Sequence, residues 1–123
     1  MFEDIPDASG IYAIVNTTTG ERYVGQAKHM RARIQAHLRE LSKGSHQTNK
    51  ERRLQEAWNK FGSDVFRAVV LEIVVDNSGP GLYPDNLSLA EHYYIGERGE
   101  YNVDDRIVRN EFADLIAQKA WRT

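Results

Sequence analysis

Along this chain the spacing of apolar residues changes from that of strands to that of helices and back again, and this switch dictates a mixed fold. Ile11 to Val15 is an apolar run rich in β-formers, Asn16-Thr17-Thr18-Thr19-Gly20 reads as a turn, and Arg22-Tyr23-Val24 resumes extended chain. Two short β-rich runs joined by a glycine-containing loop predict a hairpin. From Lys28 to Lys43 the apolar residues Met30, Ile34, Leu38 and Leu41 recur at helical spacing, and Gly44 is a fitting stop. Leu54, Ala57, Trp58 and Phe61 form a second stripe, closed by Gly62. Val65 to Val75 is dense in Val, Ile and Leu, which predicts a strand buried on both faces and central in a small sheet.

Asn77 to Asn86 holds two prolines and two glycines and reads as a loop. A third helix is expected over Leu87 to Gly96, with Leu87, Ala90, Tyr94 and Ile95 inward. A last one is capped by Asn110, carries a stripe of Phe112, Leu115 and Ile116, and brings Trp121 to pack. The order β-β-α-α-β-α-(α) gives an α+β fold: a three-stranded antiparallel sheet, made of the N-terminal hairpin plus a central strand, flanked by helices. At 123 residues the chain is expected to be one domain.

Composition narrows the chemistry. There is no cysteine, which excludes disulfides, thiolate metal sites and cysteine nucleophiles, and fits a cytoplasmic setting. No apolar run approaches the roughly 18 residues of a spanning helix, and Met1-Phe2-Glu3-Asp4 lacks a basic leader start, so no membrane association is expected. The net charge of −2 argues against a polyanion partner until its distribution is read. From Arg22 to Lys60 there are ten Lys and Arg against three acids, a net +7, whereas the remainder has six against fifteen, a net −9. A basic third within an acidic chain suits a phosphate-binding face, and equally suits two solvated helices.

Gly10-Ile11-Tyr12 and Tyr23-Val24-Gly25 stand on the two arms of the expected hairpin. Gly25-Gln26-Ala27-Lys28 then leads into a helix bearing Arg33 and His37. Lys43-Gly44-Ser45-His46, Lys60-Phe61-Gly62, Leu71-Glu72, Glu91 and Tyr101-Asn102 follow in order. With this ordered set the chain resembles the GIY-YIG endonucleases, most closely the phage and intron homing type, over about residues 5 to 103. Tyr94-Ile95-Gly96 spells the family's second tripeptide more faithfully than Tyr23-Val24-Gly25. It falls in a helical pattern remote from Tyr12, however, whereas a hairpin sets two tyrosines on neighbouring strands. The resemblance implies a nuclease domain over residues 1–103, with 104–123 a C-terminal helical extension of it.

Phosphodiester hydrolysis needs an activated water, charge stabilisation on the phosphate and help for the leaving oxygen. Arg33 and His37, at i and i+4 on one helix, offer a guanidinium for phosphate oxygens and a group able to move a proton. Glu91 is a hard oxygen ligand of the kind Mg²⁺ prefers. By resemblance, Tyr12 is the general base or water activator, Glu91 holds a single Mg²⁺ for which Mn²⁺ substitutes, and Arg33 stabilises the phosphate. Tyr23 positions that phosphate, and His37, His46 and Asn102 complete the pocket. With an unperturbed pKa near 10, Tyr12 is expected to be depressed by the metal, Arg33 or another cation. Lys28, Arg31, Arg39, Lys43, Lys50, Arg52 and Arg53 are the candidate nucleic-acid contacts.

Other readings stay open on the residues alone. Ser88-Leu89-Ala90-Glu91 is a capping-box pattern, in which Glu91 would only close a helix N-terminus. The same fold could bind nucleic acid without cutting it, or cut branched or damaged DNA by shape. A short tail after Asn102 leaves target choice to a homodimer or to a separate specificity-giving partner.

Overall fold

The computed structural model describes residues 4–46, 50–77, 79, 85–102 and 110–122, with only the backbone for 110–112. Strands β1 (Gly10–Asn16) and β2 (Arg22–Ala27) form the hairpin, followed by helices α1 (Met30–Lys43) and α2 (Arg52–Phe61). A 3₁₀ turn at Ser63–Val65 leads into β3 (Phe66–Ile73), then α3 (Asn86–Glu97), α4 (Asn110–Ala117) and a final 3₁₀ turn, Ala120–Arg122. The architecture is the expected α+β fold with one three-stranded antiparallel sheet.

Local chemistry sets the hairpin. Asn16 is fully buried and its side-chain oxygen accepts from the amides of Thr18 at 2.9 Å and Thr19 at 3.3 Å. That is an asparagine turn of the kind this residue favours. Gly20 closes the loop at φ 80°, a conformation open to glycine. Gly44 ends α1 in the left-handed conformation, its N–H meeting the carbonyls of Glu40 and Leu41.

The third strand does not lie at the centre of the sheet. The order is β2-β1-β3, so β1 is the central strand and β3 an edge, with Val69 39% and Ile73 55% exposed. The outer edge of β2 is already occupied: Tyr101 N–H donates to Arg22 O, and the Asn102 amide bonds both the N–H and the C=O of Val24 at 2.9 Å. A buried backbone edge needs such partners, and the strap formed by Tyr101 and Asn102 leaves β1 as the place for β3 to pair. The β1–β3 ladder carries a bulge at Leu71, because Ile11 faces Glu72 while Tyr12 faces Val70.

Both faces of the sheet are covered. Tyr12, Ile14 and Tyr23 face α1 and α2, packing with Met30, Ile34, Leu41 and Leu54. Ile11 and Val24 face the other way, onto Leu87, Leu89, Ala90 and Ile95 of α3, and Trp121 joins this second cluster. Leu115, expected inward, is 37% exposed, while Ile116 beside it packs on the cluster. The Phe112 side chain, the proposed Asn110 cap and most of the 78–84 loop lie outside the described residues. Among the described residues no helix is long and apolar enough to cross a membrane.

Candidate active site

The site forms where β1, β2 and α1 converge, and glycine makes room for it. Tyr12 stands opposite Gly25 across the hairpin, and a Cβ on Gly25 would sit 2.5 Å from the Tyr12 hydroxyl oxygen and Cζ. The phenol therefore lies directly over the glycine backbone. A Cβ on Gly10 would meet the Glu72 carbonyl oxygen at 2.4 Å, so both tripeptide glycines are close-approach positions. Gly25→Ala is expected to displace the phenol and to cost about 1–3 kcal/mol by overpacking. Thermal denaturation checks this; an unchanged Tm would mean the slot opens freely.

Arg33 and His37 extend from α1 toward Tyr12. The Arg33 guanidinium lies near enough to the Tyr12 phenol for its charge to favour the phenolate, and the Tyr12 hydroxyl lies 3.5 Å from His37 Nδ1. The His37 ring is fully buried between two others, edge-on to Tyr23 at 5.2 Å and to His46 at 4.9 Å. Among the described residues its buried Nε2 has no hydrogen-bond partner. Burial, then the charges of Arg33 and His46, push the His37 pKa down to about 3, so the ring is neutral over the physiological range. A ring so depressed is a weak proton acceptor at neutral pH, and its Nδ1 faces the Tyr12 hydroxyl.

Two acids of the basic stretch turn into this pocket. Glu51, just before α2, accepts from the Tyr23 hydroxyl at 3.4 Å, and its second oxygen is 3.9 Å from His46 Nδ1. Glu40, near the end of α1, lies 3.1 Å from His46 Nε2. Gln55 fastens the corner, accepting from the His46 N–H and donating to Leu41 O. Neither Glu40 nor Glu51 stood out in the sequence, although an acid placed among ten basic residues was the available signal. Their effect is to make the pocket less positive than the surrounding stretch.

Glu91 reaches the same place from α3. It is half-buried, accepts from the Gln26 side chain at 3.1 Å, and lies close enough for its charge to raise the pKa of both tyrosines. The capping-box reading fails, because the helix begins earlier: Asp85 is the N-cap, accepting from the Ser88 N–H at 2.8 Å. Burial outweighs Arg33 at Tyr12 and, with Glu91 and Glu51, pushes its pKa up to about 12. Tyr23 is raised as well, by burial first and then by Tyr12 and the same acids. The expected depression of Tyr12 is thus not supplied by the protein's own groups.

Asn102 belongs to the framework rather than to the pocket lining, since both ends of its buried amide bind the Val24 backbone between Tyr23 and Gly25. Of the basic candidates, Arg39, Lys43, Lys50 and Arg53 are exposed. Arg31 holds the N-terminal segment through Ile5 O at 2.7 Å, and Lys28 lies 3.9 Å from Asp76. Arg53 shares a shallow groove with Glu21, Glu56, Lys60 and Glu100, which is mixed in charge. Arg52 is half-buried.

The chain has counterparts among known proteins in sequence and in fold. The profile of the GIY-YIG catalytic domain matches residues 8–102. The chain belongs to the GIY-YIG family. Intron-associated endonuclease 1 of Enterobacteria phage T4 is 44% identical over 64 residues, which is 52% of this chain and 24% of that protein. The chain thus matches about a quarter of that relative's length. The catalytic domain of homing endonuclease I-TevI is similar in structure, with 31% identity, a TM-score of 0.60, and coverage of 77% of this chain and 97% of that one. A point mutant of the catalytic domain of intron endonuclease I-TevI gives 29% identity and a TM-score of 0.63, over 82% and 98% of the two chains. Tyr94-Ile95-Gly96 is excluded as the tripeptide of the family name: it is part of α3, and its tyrosine donates to Glu72 at 2.7 Å.

The donor set has a bearing on the metal. Among the described residues no group of three or more His, Cys, Asp or Glu is arranged to hold an ion. A catalytic zinc normally takes three protein ligands, whereas Mg²⁺ is content with one or two carboxylates and several waters. Glu91, half-buried beside two tyrosine hydroxyls, fits the second pattern.

Proposed function

We propose that this chain is a metal-dependent DNA endonuclease, with Tyr12 activating the attacking water, Arg33 stabilising the phosphate and Glu91 holding one Mg²⁺. The observation that carries the reading is the convergence on one phenol of Arg33 and His37 from α1 and of the Glu91 charge from α3. The names of the relatives, an intron-associated endonuclease and a homing endonuclease, support the same class of reaction.

The phenolate form of Tyr12 takes a proton from the water as it adds to phosphorus, the bond to the 3′ oxygen breaks, and that oxygen takes a proton from solvent water to leave as a 3′ hydroxyl. His37 fixes the direction of the Tyr12 hydroxyl, and Tyr23, packed edge-on against His37, walls the pocket. Arg33, whose charge already acts on the phenol, would bond the incoming phosphate, a role suited to the guanidinium fork. A divalent ion held by Glu91 supplies, when bound, positive charge against the phosphate and the departing oxygen. Arg39, Lys43, Lys50, Arg52 and Arg53 would neutralise neighbouring phosphates, giving salt-sensitive binding.

Supercoiled plasmid tests the proposal. Nicked or linear product is expected with Mg²⁺ or Mn²⁺, and none with EDTA. A salt-sensitive mobility shift with no cleavage under any divalent ion would replace the nuclease reading with a binding one.

A further inference from the structure

The segment 110–122 lies beyond the 8–102 stretch that matches the family, yet it ends inside the hydrophobic core. Lys119, at φ 53°, turns the chain back after α4, and Trp121 enters the α3 face of the sheet with 3% of its surface exposed. Tyr93 of α3 packs against this turn, its ring 5.2 Å from Trp121 and under the Lys119 ammonium at 5.4 Å.

One carboxylate joins the pieces. Glu72, beside the bulge in β3, accepts from Tyr94 Oη at 2.7 Å and Trp121 Nε1 at 2.9 Å. It also accepts from Arg122 Nε at 3.0 Å and Nη2 at 2.8 Å. Four donors fill the acceptor sites of an ionised carboxylate, and the arginine pair is bidentate. Burial raises the Glu72 pKa, but the hydrogen bonds from Arg122, Tyr94 and Trp121 outweigh it and hold the group below its ordinary value. Tyr94 is three residues after Glu91, so on α3 the two are neighbours. The helix is therefore fastened twice within one turn, through Gln26 to Glu91 and through Glu72 to Tyr94.

We infer that Glu72 and the Trp121–Arg122 turn form a clamp that sets the position of α3 and, through it, of Glu91. Glu72 is a positioning residue, and its bearing on cleavage rests on the nuclease reading above. A shift of about 1 Å in a catalytic group can cost on the order of a hundredfold in rate, so an anchor one turn away has leverage.

The test uses Glu72→Gln and Arg122→Ala in the full chain. Arg122 is 43% exposed in its side chain, so its loss leaves the core intact. Amide hydrogen exchange over Asn86–Glu97 is expected to accelerate roughly tenfold or more in both variants, with α1 at the parent rate, the pattern of a local opening. The Mg²⁺ concentration for half-maximal cleavage should rise several-fold while DNA binding stays unchanged. Exchange in α3 at the parent rate, or equal acceleration in α1 and β1, would overturn the clamp. If the parent chain never cleaves, the nuclease reading fails, and the exchange pattern still decides whether the clamp holds α3.

Discussion

Glu91→Ala is expected to lower DNA cleavage about 10³-fold or more while the protein stays folded, since a metal-held charge stabilises the transition state by several kcal/mol. The size of the effect follows from how few substitutes Glu91 has. Among the described residues no group of three or more acids and histidines is arranged to hold an ion in its place. Glu40 and Glu51 face His46 and Tyr23 instead. The structural cost should be small. The hydrogen bond from Gln26 is partly exposed and worth about 0.5–1.5 kcal/mol, and the helix keeps its cap because Asp85 provides it. Glu91→Gln, which keeps the shape and removes the charge, should be equally inactive. Asp85→Ala provides the opposite control, losing about 1 kcal/mol of stability with cleavage close to the parent's. A Glu91→Ala protein that cuts normally and melts earlier would return Glu91 to a structural role.

The hairpin and the four helices were legible because each depends on local rules. Strand-forming runs flank an asparagine turn, and apolar stripes at helical spacing end at Gly44 and Gly62. Lateral position was not legible. The apolar density of Val65–Val75 reports that a strand is covered, not which neighbours it has. That β3 lies at an edge depends on Asn102 sealing β2 from far along the chain. Leu115 fails for a related reason: a stripe predicts a face, and α4 turns only Ile116 of that pair onto the core. Of the candidate site, Tyr12, Tyr23, Arg33, His37 and Glu91 stand out through the family resemblance that their order carries, not through any one of them alone. The acids Glu40 and Glu51 could not be read, because whether a glutamate in a basic segment meets His46 or Tyr23 depends on the corner between α1 and α2. The Tyr12 pKa was read with the wrong sign for the free protein. Arg33 is visible in the sequence, whereas the burial that outweighs it is a property of the finished core.

That sign shapes the second large effect. Tyr12→Phe is expected to reduce cleavage about 10²- to 10⁴-fold, the usual span for a general base, with little change in DNA binding because only the hydroxyl is removed. With the hydroxyl pushed up to about 12, the phenolate is a minute fraction near neutrality, and each pH unit multiplies it about tenfold. The chemical step of the parent should therefore climb with pH from about 6 to 9, and the climb should vanish from the residual rate of Tyr12→Phe. His37 cannot produce this slope, since a ring with its pKa pushed down to about 3 is already neutral throughout that range. Stability moves in the opposite direction. The folded state holds Tyr12 protonated above its unfolded pKa of about 10, so that contribution is complete below pH 10 and is lost as pH rises toward 12. Rate and stability thus respond to different windows and can be separated by measuring both: cleavage gains across pH 6 to 9 while the Tyr12 contribution to stability stays constant. A chemistry-limited rate that is flat over that range would remove Tyr12 as the base. The residual activity of Tyr12→Phe would then measure only what Arg33 and the Glu91-held ion contribute without it.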